Sequence, residues 1–204
     1  MLEAINLDCV RGERQLFHQL SFRLDAGECL LVQGQNGSGK TSLLRMLVGL
    51  TPPAGGAIHW QGKAIQTLGD EYRRQLLYCG HHLGLKDDLT PMENLMSSIA
   101  LADESVTVDA AQLVLQKVGL RGREYLPVRA LSQGQKRRVS LARLLLQKRR
   151  LWVLDEPLTA LDTQASQWVT AEIDRHLSQG GIAVLTSHQD FSLARKIQHI
   201  RVGA

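Results

Sequence analysis

The sequence predicts an α/β fold with a mainly parallel core sheet, an N-terminal antiparallel β part and a helical insert. Three observations predict it. Cys29-Leu30-Leu31-Val32, Leu151 to Leu154 and Ile182 to Thr186 are short continuous apolar runs, the pattern of strands covered on both faces. Helical periodicity separates them, which makes parallel pairing the economical arrangement. A long stretch from about Leu83 to Leu146 contains no strand signal and reads as helices.

In chain order, Leu2 to Asp8 alternates apolar and polar residues, and Leu20-Ser21-Phe22-Arg23-Leu24 repeats that period, so the chain opens with strands of a half-exposed sheet. The strand at Cys29 runs into a glycine-rich turn, Gly34 to Gly39. Helical spacing from Thr41 to Leu50 then stops before Pro52-Pro53. A turn at Gly55-Gly56 is expected to precede another short strand, and Leu76 to Cys79 reads as a further one. Helices are predicted near Pro91 to Ala100, Val108 to Val118, Gln135 to Leu146 and Asp162 to Leu177. The whole chain is read as a single domain, with a core of about 1–82 and 147–204 around an insert of about 83–146.

The composition, 44% hydrophobic and 22% charged over 204 residues, suits one folded domain without a long disordered tail. The longest apolar runs fall far short of the roughly 20 residues of a membrane-spanning helix. Glu3 and Asp8 stand where a signal peptide needs a basic segment followed by an apolar one, so a cytoplasmic location is expected. Cys9, Cys29 and Cys79 are isolated, and reduced, mostly buried thiols are expected. The formal net charge of +4 is scattered through the chain, which favours solvated surface over a nucleic-acid footprint.

Gly34-Gln35-Asn36-Gly37-Ser38-Gly39-Lys40-Thr41 matches G-x-x-x-x-G-K-[ST] between a buried strand and a helix. Glycines let the backbone wrap phosphates with its N–H groups inward, and the helix N-terminus adds partial positive charge. Lys40 supplies a full charge, and the Thr41 hydroxyl suits Mg²⁺. The candidate ATP-binding set is Gly34, Gln35, Asn36, Gly37, Ser38, Gly39, Lys40, Thr41 and Ser42. Asp155 and Glu156 end the strand Leu151 to Leu154: the first is the candidate Mg²⁺ residue, the second the candidate base that activates water. ATP and Mg²⁺ are thus the expected ligands.

Leu131-Ser132-Gln133-Gly134-Gln135 resembles the LSGGQ signature of ABC ATPases, with Gln133 in place of the first glycine. Ser132 there serves equally as a helix N-cap and as part of a second anion site. Pro157 to Asp162 resembles the D-loop of that family, with Asp162 its acidic residue, and His188 resembles the switch histidine. The resemblance implies a P-loop NTPase of ABC type, catalytic roles for Glu156 and His188, and a homodimer. In that pair, Ser132, Gln133, Gly134 and Gln135 face the ATP of the opposite subunit.

Two further positions depart from the family pattern. His82 stands where the family places a metal-facing glutamine, so it enters as a further Mg²⁺ candidate, or as one of two loop histidines with His81. Cys9-Val10-Arg11-Gly12 offers no ring where the family stacks adenine. Arg11 is read there as a stacking guanidinium or a solvated surface residue.

The segments Gly80 to Lys86, Leu89 to Leu95 and Leu185 to Gln189 together look like the ATP-binding subunits of the haem exporter in bacterial cytochrome c maturation. That similarity implies a peripheral subunit on the cytoplasmic face of the inner membrane, bound to integral membrane transporter subunits. It assigns haem to the complex rather than to this chain and implies no nucleic-acid partner. The alternatives are an importer or exporter subunit for another substrate, and a non-transport ABC ATPase of DNA repair or translation. Those last carry fused cassettes, coiled coils or zinc modules that this chain lacks. A soluble P-loop kinase fits less well because of the signature segment.

Overall fold

The computed structural model describes residues 1–187 and 193–203. The chain forms two compact units. One comprises Met1–Tyr78, Arg149–Glu156 and Ile173–Ala204, and the other Cys79–Lys148 and Pro157–Glu172.

The first unit holds two sheets. Strands β1 (Leu2–Arg11), β2 (Arg14–Leu24), β4 (Gly55–Trp60) and β5 (Lys63–Ala64) form an antiparallel sheet in the order β2-β1-β4-β5. The second sheet runs β6 (Leu76–Cys79), β7 (Leu151–Leu154), β8 (Ile182–Thr186), β3 (Cys29–Gln33), β9 (Ile197–Arg201). Strand β3 pairs parallel with both β8 and β9, and β7 pairs parallel with β8. Every residue of β7 and β8 is buried, as their unbroken apolar runs require. Helix α1 (Lys40–Leu47) packs Leu43, Leu44 and Leu47 into the same apolar core as Leu30, Val32, Val153 and Val184.

Three local features differ from the sequence reading. Gly55 and Gly56 lie inside β4 rather than in a turn. Gly56, at φ 80, lies so close to the Ile5 and Asn6 carbonyls that a Cβ would come within 2.3 Å of them, and the β1–β4 register shifts here. A glycine bulge lets two backbones approach where a side chain would hold them apart. Helix α1 ends at Leu47, because Gly49 adopts φ 74 and its N–H closes the turn on Met46 O. Strand β9 and the one-turn helices α2 (Ile65–Leu68) and α3 (Asp70–Arg73) have no counterpart in the sequence reading. Each is too short, or too exposed, to imprint a period.

The second unit contains α4 (Pro91–Leu101), α5 (Val108–Lys117) and α6 (Gln133–Leu141), the last continued by a 3₁₀ turn at Ala142–Leu145. Leu95, Ile99, Leu115, Leu120, Val128 and Val139 form its own core. Thr90 and Glu93 make a reciprocal capping box that starts α4. Buried Asn94 shapes the loop before it: its Oδ1 accepts from Lys86 N–H, and its Nδ2 donates to the Lys86, Leu89 and Thr90 carbonyls. Helix α7 (Thr163–Ser178) begins in this unit and finishes in the first. No helix among the described residues is long and apolar enough to cross a membrane.

In the first unit, the ring of His176 stacks on Trp152 with centroids 3.9 Å apart and planes 4° from parallel. Its Nε2–H donates to the Ile182 carbonyl at 3.2 Å. Gly181 must be glycine here, since a Cβ would come within 2.2 Å of the imidazole. Burial pushes the His176 pKa down to about 4, outweighing the carbonyl bond, which favours the protonated ring. The group is neutral when folded and takes up a proton more readily when unfolded. Its contribution is therefore complete above about pH 6.5 and is lost as pH falls towards 4, amounting to roughly 3 kcal/mol. We expect His176→Phe, which keeps a stacked ring but cannot titrate, to show a flatter decline in stability between pH 7 and pH 4. Urea midpoints across that range measure it, and a decline as steep as in the parental chain contradicts it.

Candidate functional site

The parallel sheet aligns the phosphate loop with both acidic residues. Leu154 pairs with Leu185 and Val32 pairs with Thr186, so the ends of β3, β7 and β8 are level. The chain leaves β3 into Gly34, leaves β7 into Asp155 and Glu156, and closes β8 with Thr186. Ligands of open parallel sheets are held beyond these carboxyl ends.

The loop itself is tightly wound. Gly34 sits where a Cβ would meet Ser38 Oγ at 2.4 Å and Val202 O at 2.5 Å, and Gly39, the residue that opens α1, has φ 105. Lys40 is 7% exposed, and its ammonium donates to the carbonyls of Gly34 and Gln35 at 2.8 and 3.2 Å. The loop is thus curled around its own lysine. No side chain caps α1 and no acidic residue lies in its first turn. Its leading N–H groups and dipole accordingly favour an anion. The buried Ser38 hydroxyl has no hydrogen-bond partner among the described residues and is available to one. Gln35, Asn36 and Gly37 are the less buried crest of the loop, and Ser42 follows within α1.

Thr41 Oγ1–H donates to Asp155 Oδ2 at 2.9 Å, a bond between residues 114 apart in sequence. Asp155 is 2% exposed. Its other oxygen, Oδ1, accepts from Thr186 Oγ1–H at 2.6 Å, and Thr186 Oγ1 accepts the Glu156 N–H at 2.8 Å. Glu156 has φ 50, a left-handed conformation that costs a side-chain-bearing residue about 1–2 kcal/mol. Thr186, fully buried, was not singled out by sequence reasoning. The available signal is a hydroxyl ending an apolar strand, level with an acidic residue ending its neighbour.

Hard oxygen donors, a hydroxyl and a carboxylate within 2.9 Å, suit Mg²⁺. Thr41 and Asp155 are the residues of this unit that fit it. Among the described residues no cluster of three or more His, Cys, Asp or Glu forms a separate metal site.

The remaining predicted residues lie in the second unit, or outside the described part in the case of His188. Ser132 is the N-cap of α6: its Oγ accepts from Gln135 N–H at 3.3 Å, while Gln135 Oε1 accepts from Ser132 N–H at 3.0 Å. Gln133, Gly134 and Gln135 form the first turn of that helix, which starts two residues earlier than the sequence pattern suggests. Gly134 lies against the Ala160 carbonyl, where a Cβ would come within 2.5 Å. Arg138, on the same helix, donates to Asp162 Oδ2 at 2.5 Å, and Asp162 Oδ1 accepts from Ala165 N–H at 2.8 Å. That N–H bond, reinforced by Arg138, holds the Asp162 carboxyl below its ordinary pKa. The signature helix and the D-loop are therefore joined within one unit.

His82 is exposed and stands edge-on to His81, with ring centroids 5.8 Å apart. Their segment is bound to α6 and the turn after it: Arg137 donates to Gly80 O, Ser140 to Leu83 O, and Arg143 to Cys79 Sγ. The three cysteines are free and buried. Arg11, exposed at the tip of the β1–β2 hairpin, pairs with Arg14.

Comparison with known proteins agrees with this architecture. Residues 17–159 match the family model described as ABC transporter. The "cytochrome c biogenesis ATP-binding export protein CcmA" of Dechloromonas aromatica is 54% identical over 204 residues, covering 100% of each chain. The protein of the same description from Pseudomonas aeruginosa is 53% identical, also over 100% of each. Among solved structures, a dimeric bacterial ABC transporter cassette superposes with a TM-score of 0.83 at 22% identity, covering 98% of this chain and 94% of the other. Full-length identity of this degree, on a fold that carries the phosphate loop and its acidic strand, places the chain in the ABC transporter family, among the cytochrome c biogenesis ATP-binding export proteins.

Proposed function

We propose that this ATP-binding and ATP-hydrolysing ABC subunit powers haem export or release for c-type cytochrome assembly, as one of a pair beneath integral membrane subunits. The observation that carries the reading is the 2.9 Å bond from Thr41, at the start of the phosphate-loop helix, to Asp155. It joins a phosphate cradle to an acidic strand end in one constellation. The names of the full-length relatives supply the export and cytochrome c context. That context supports an inner-membrane, cytoplasmic-face position.

In this reading the loop N–H groups and Lys40 bind the β- and γ-phosphates. Lys40 exchanges the Gly34 and Gln35 carbonyls for phosphate oxygens, a stronger, charge-assisted bond. Thr41 and Asp155 would hold Mg²⁺, which when bound neutralises charge building on the phosphates. Glu156 orients the attacking water and accepts its proton. Ser132 and the first turn of α6 face the γ-phosphate of the partner's nucleotide, with N–H groups and a positive helix end. His188 is assigned to the γ-phosphate by resemblance alone. His82 takes the place of the family's glutamine by resemblance alone, and an imidazole is a poor direct ligand for Mg²⁺. The paired arrangement is also the form named for the structurally similar cassette.

Lys40→Ala is expected to weaken ATP binding by at least tenfold, whereas Glu156→Gln should bind ATP normally and accumulate an ATP-loaded dimer. Calorimetric titration and sizing with ATP report the two outcomes. Unchanged affinity in Lys40→Ala contradicts the phosphate assignment.

Pairing has its own test. Coexpressed with the membrane subunits, a Lys40→Ala chain and a Ser132→Arg chain should together recover part of the ATP turnover that each lacks alone. One composite site then combines both defects while the other keeps an intact loop and an intact signature. Mixed dimers no more active than either control contradict the shared site.

A further inference from the structure

We infer that Thr186 is a positioning residue for ATP hydrolysis, setting the orientation of Asp155 and the backbone of Glu156 through a single hydroxyl. The inference rests on the ATPase reading above and goes beyond it to a residue outside the phosphate-loop, acidic-strand, signature and histidine elements.

A threonine hydroxyl has one proton to give and lone pairs to accept with. Here both capacities are used on the two acidic residues. The proton goes to Asp155 Oδ1 at 2.6 Å, because an ionised carboxylate only accepts, and the oxygen takes the Glu156 N–H at 2.8 Å. Asp155 is then held at both oxygens, by Thr186 on one side and Thr41 on the other. Its rotation would break a bond on either side. Glu156 sits at φ 50, a conformation its own side chain disfavours, and the bond from its N–H to Thr186 lies at that strained residue.

The strand explains why threonine does this well. Thr186 ends β8 in a fully buried position, level with Val32 on β3, and the β7–β8 register continued by one residue sets it opposite Asp155. A β-branched residue in a buried strand has a stiff χ1, so the hydroxyl is aimed before any ligand arrives. Such preorganisation matters most for groups that must meet a reacting atom, where misplacement by about 1 Å can cost a hundredfold in rate. Binding is less sensitive, because it rests on the loop N–H groups and on Lys40, whose ammonium is bonded to the Gly34 and Gln35 carbonyls rather than to Asp155 or Thr186.

The test uses the subunit in its membrane complex. Thr186→Val keeps the shape and β-branching and deletes both bonds, while Thr186→Ser keeps the hydroxyl. We expect kcat to fall about tenfold to a hundredfold in Thr186→Val with ATP affinity within about threefold of the parental value. Thr186→Ser should retain kcat within about threefold. In a Glu156→Gln background, Thr186→Val should have little further effect on turnover, since the residue acts through Glu156. A crystal structure of Thr186→Val should show Glu156 displaced from its left-handed φ, and that of Thr186→Ser should show it retained. Should the valine variant not fold, Thr186→Cys, a weak donor of similar size, is expected to show the same split between kcat and affinity. A Thr186→Val kcat within twofold of parental overturns the inference, as does Thr186→Ser losing as much as Thr186→Val, or affinity falling in step with kcat. A parental complex that binds ATP but never hydrolyses it overturns the ATPase reading, and the inference with it.

Discussion

A buried carboxylate with both oxygens satisfied is the constraint on which the phosphate-binding unit depends. Asp155 is withdrawn from water at the end of an apolar strand, a position that would cost several kcal/mol were its charge left unanswered. Two hydroxyls answer it, from the first turn of α1 and from the end of β8. The strand ends are therefore held at a fixed spacing, and α1 cannot slide along the sheet without exposing that charge to an unfavourable setting. The loop wrapped round Lys40 and the strained turn at Glu156 are anchored to this point.

The second unit is organised around a different element, the helix α6. Its N-terminus carries the signature serine as a cap, its first turn presses Gly134 against the D-loop backbone, and Arg138 grips Asp162. Arg137 and Ser140 farther along it, with Arg143 in the turn that follows, hold the segment that carries His81 and His82. Three motifs that are dispersed in sequence thus share one support. A shift of α6 would carry the signature, the D-loop and the histidine segment together within that unit.

The legibility of these features in the sequence follows the range of the interactions. Strands β3, β7 and β8 were readable because burial on both faces leaves an unbroken apolar run, and the phosphate loop because glycine spacing and its strand-to-helix setting are both local. The family resemblance carried the signature and the export context, which composition and periodicity do not encode. What escaped was set by pairing across the chain. Strand β9 is exposed on alternate residues and exists because β3 offers it an edge, and the glycines of β4 read as a turn until β1 is laid beside them. Thr186 escaped for the same reason: nothing near it in sequence says that Asp155, thirty-one residues earlier, lies one hydrogen bond away.

The left-handed turn at Glu156 has a consequence for how this chain can be improved. A residue there with a short amide side chain, or with none, would relax the backbone and remove the strain, so laboratory selection for heat resistance alone should favour replacing the glutamate with asparagine or glycine. The same replacement discards the carboxylate assigned to the water. Robustness and turnover pull against each other at this one position, and a screen that rewards only survival at high temperature would drift towards a well-folded but idle subunit.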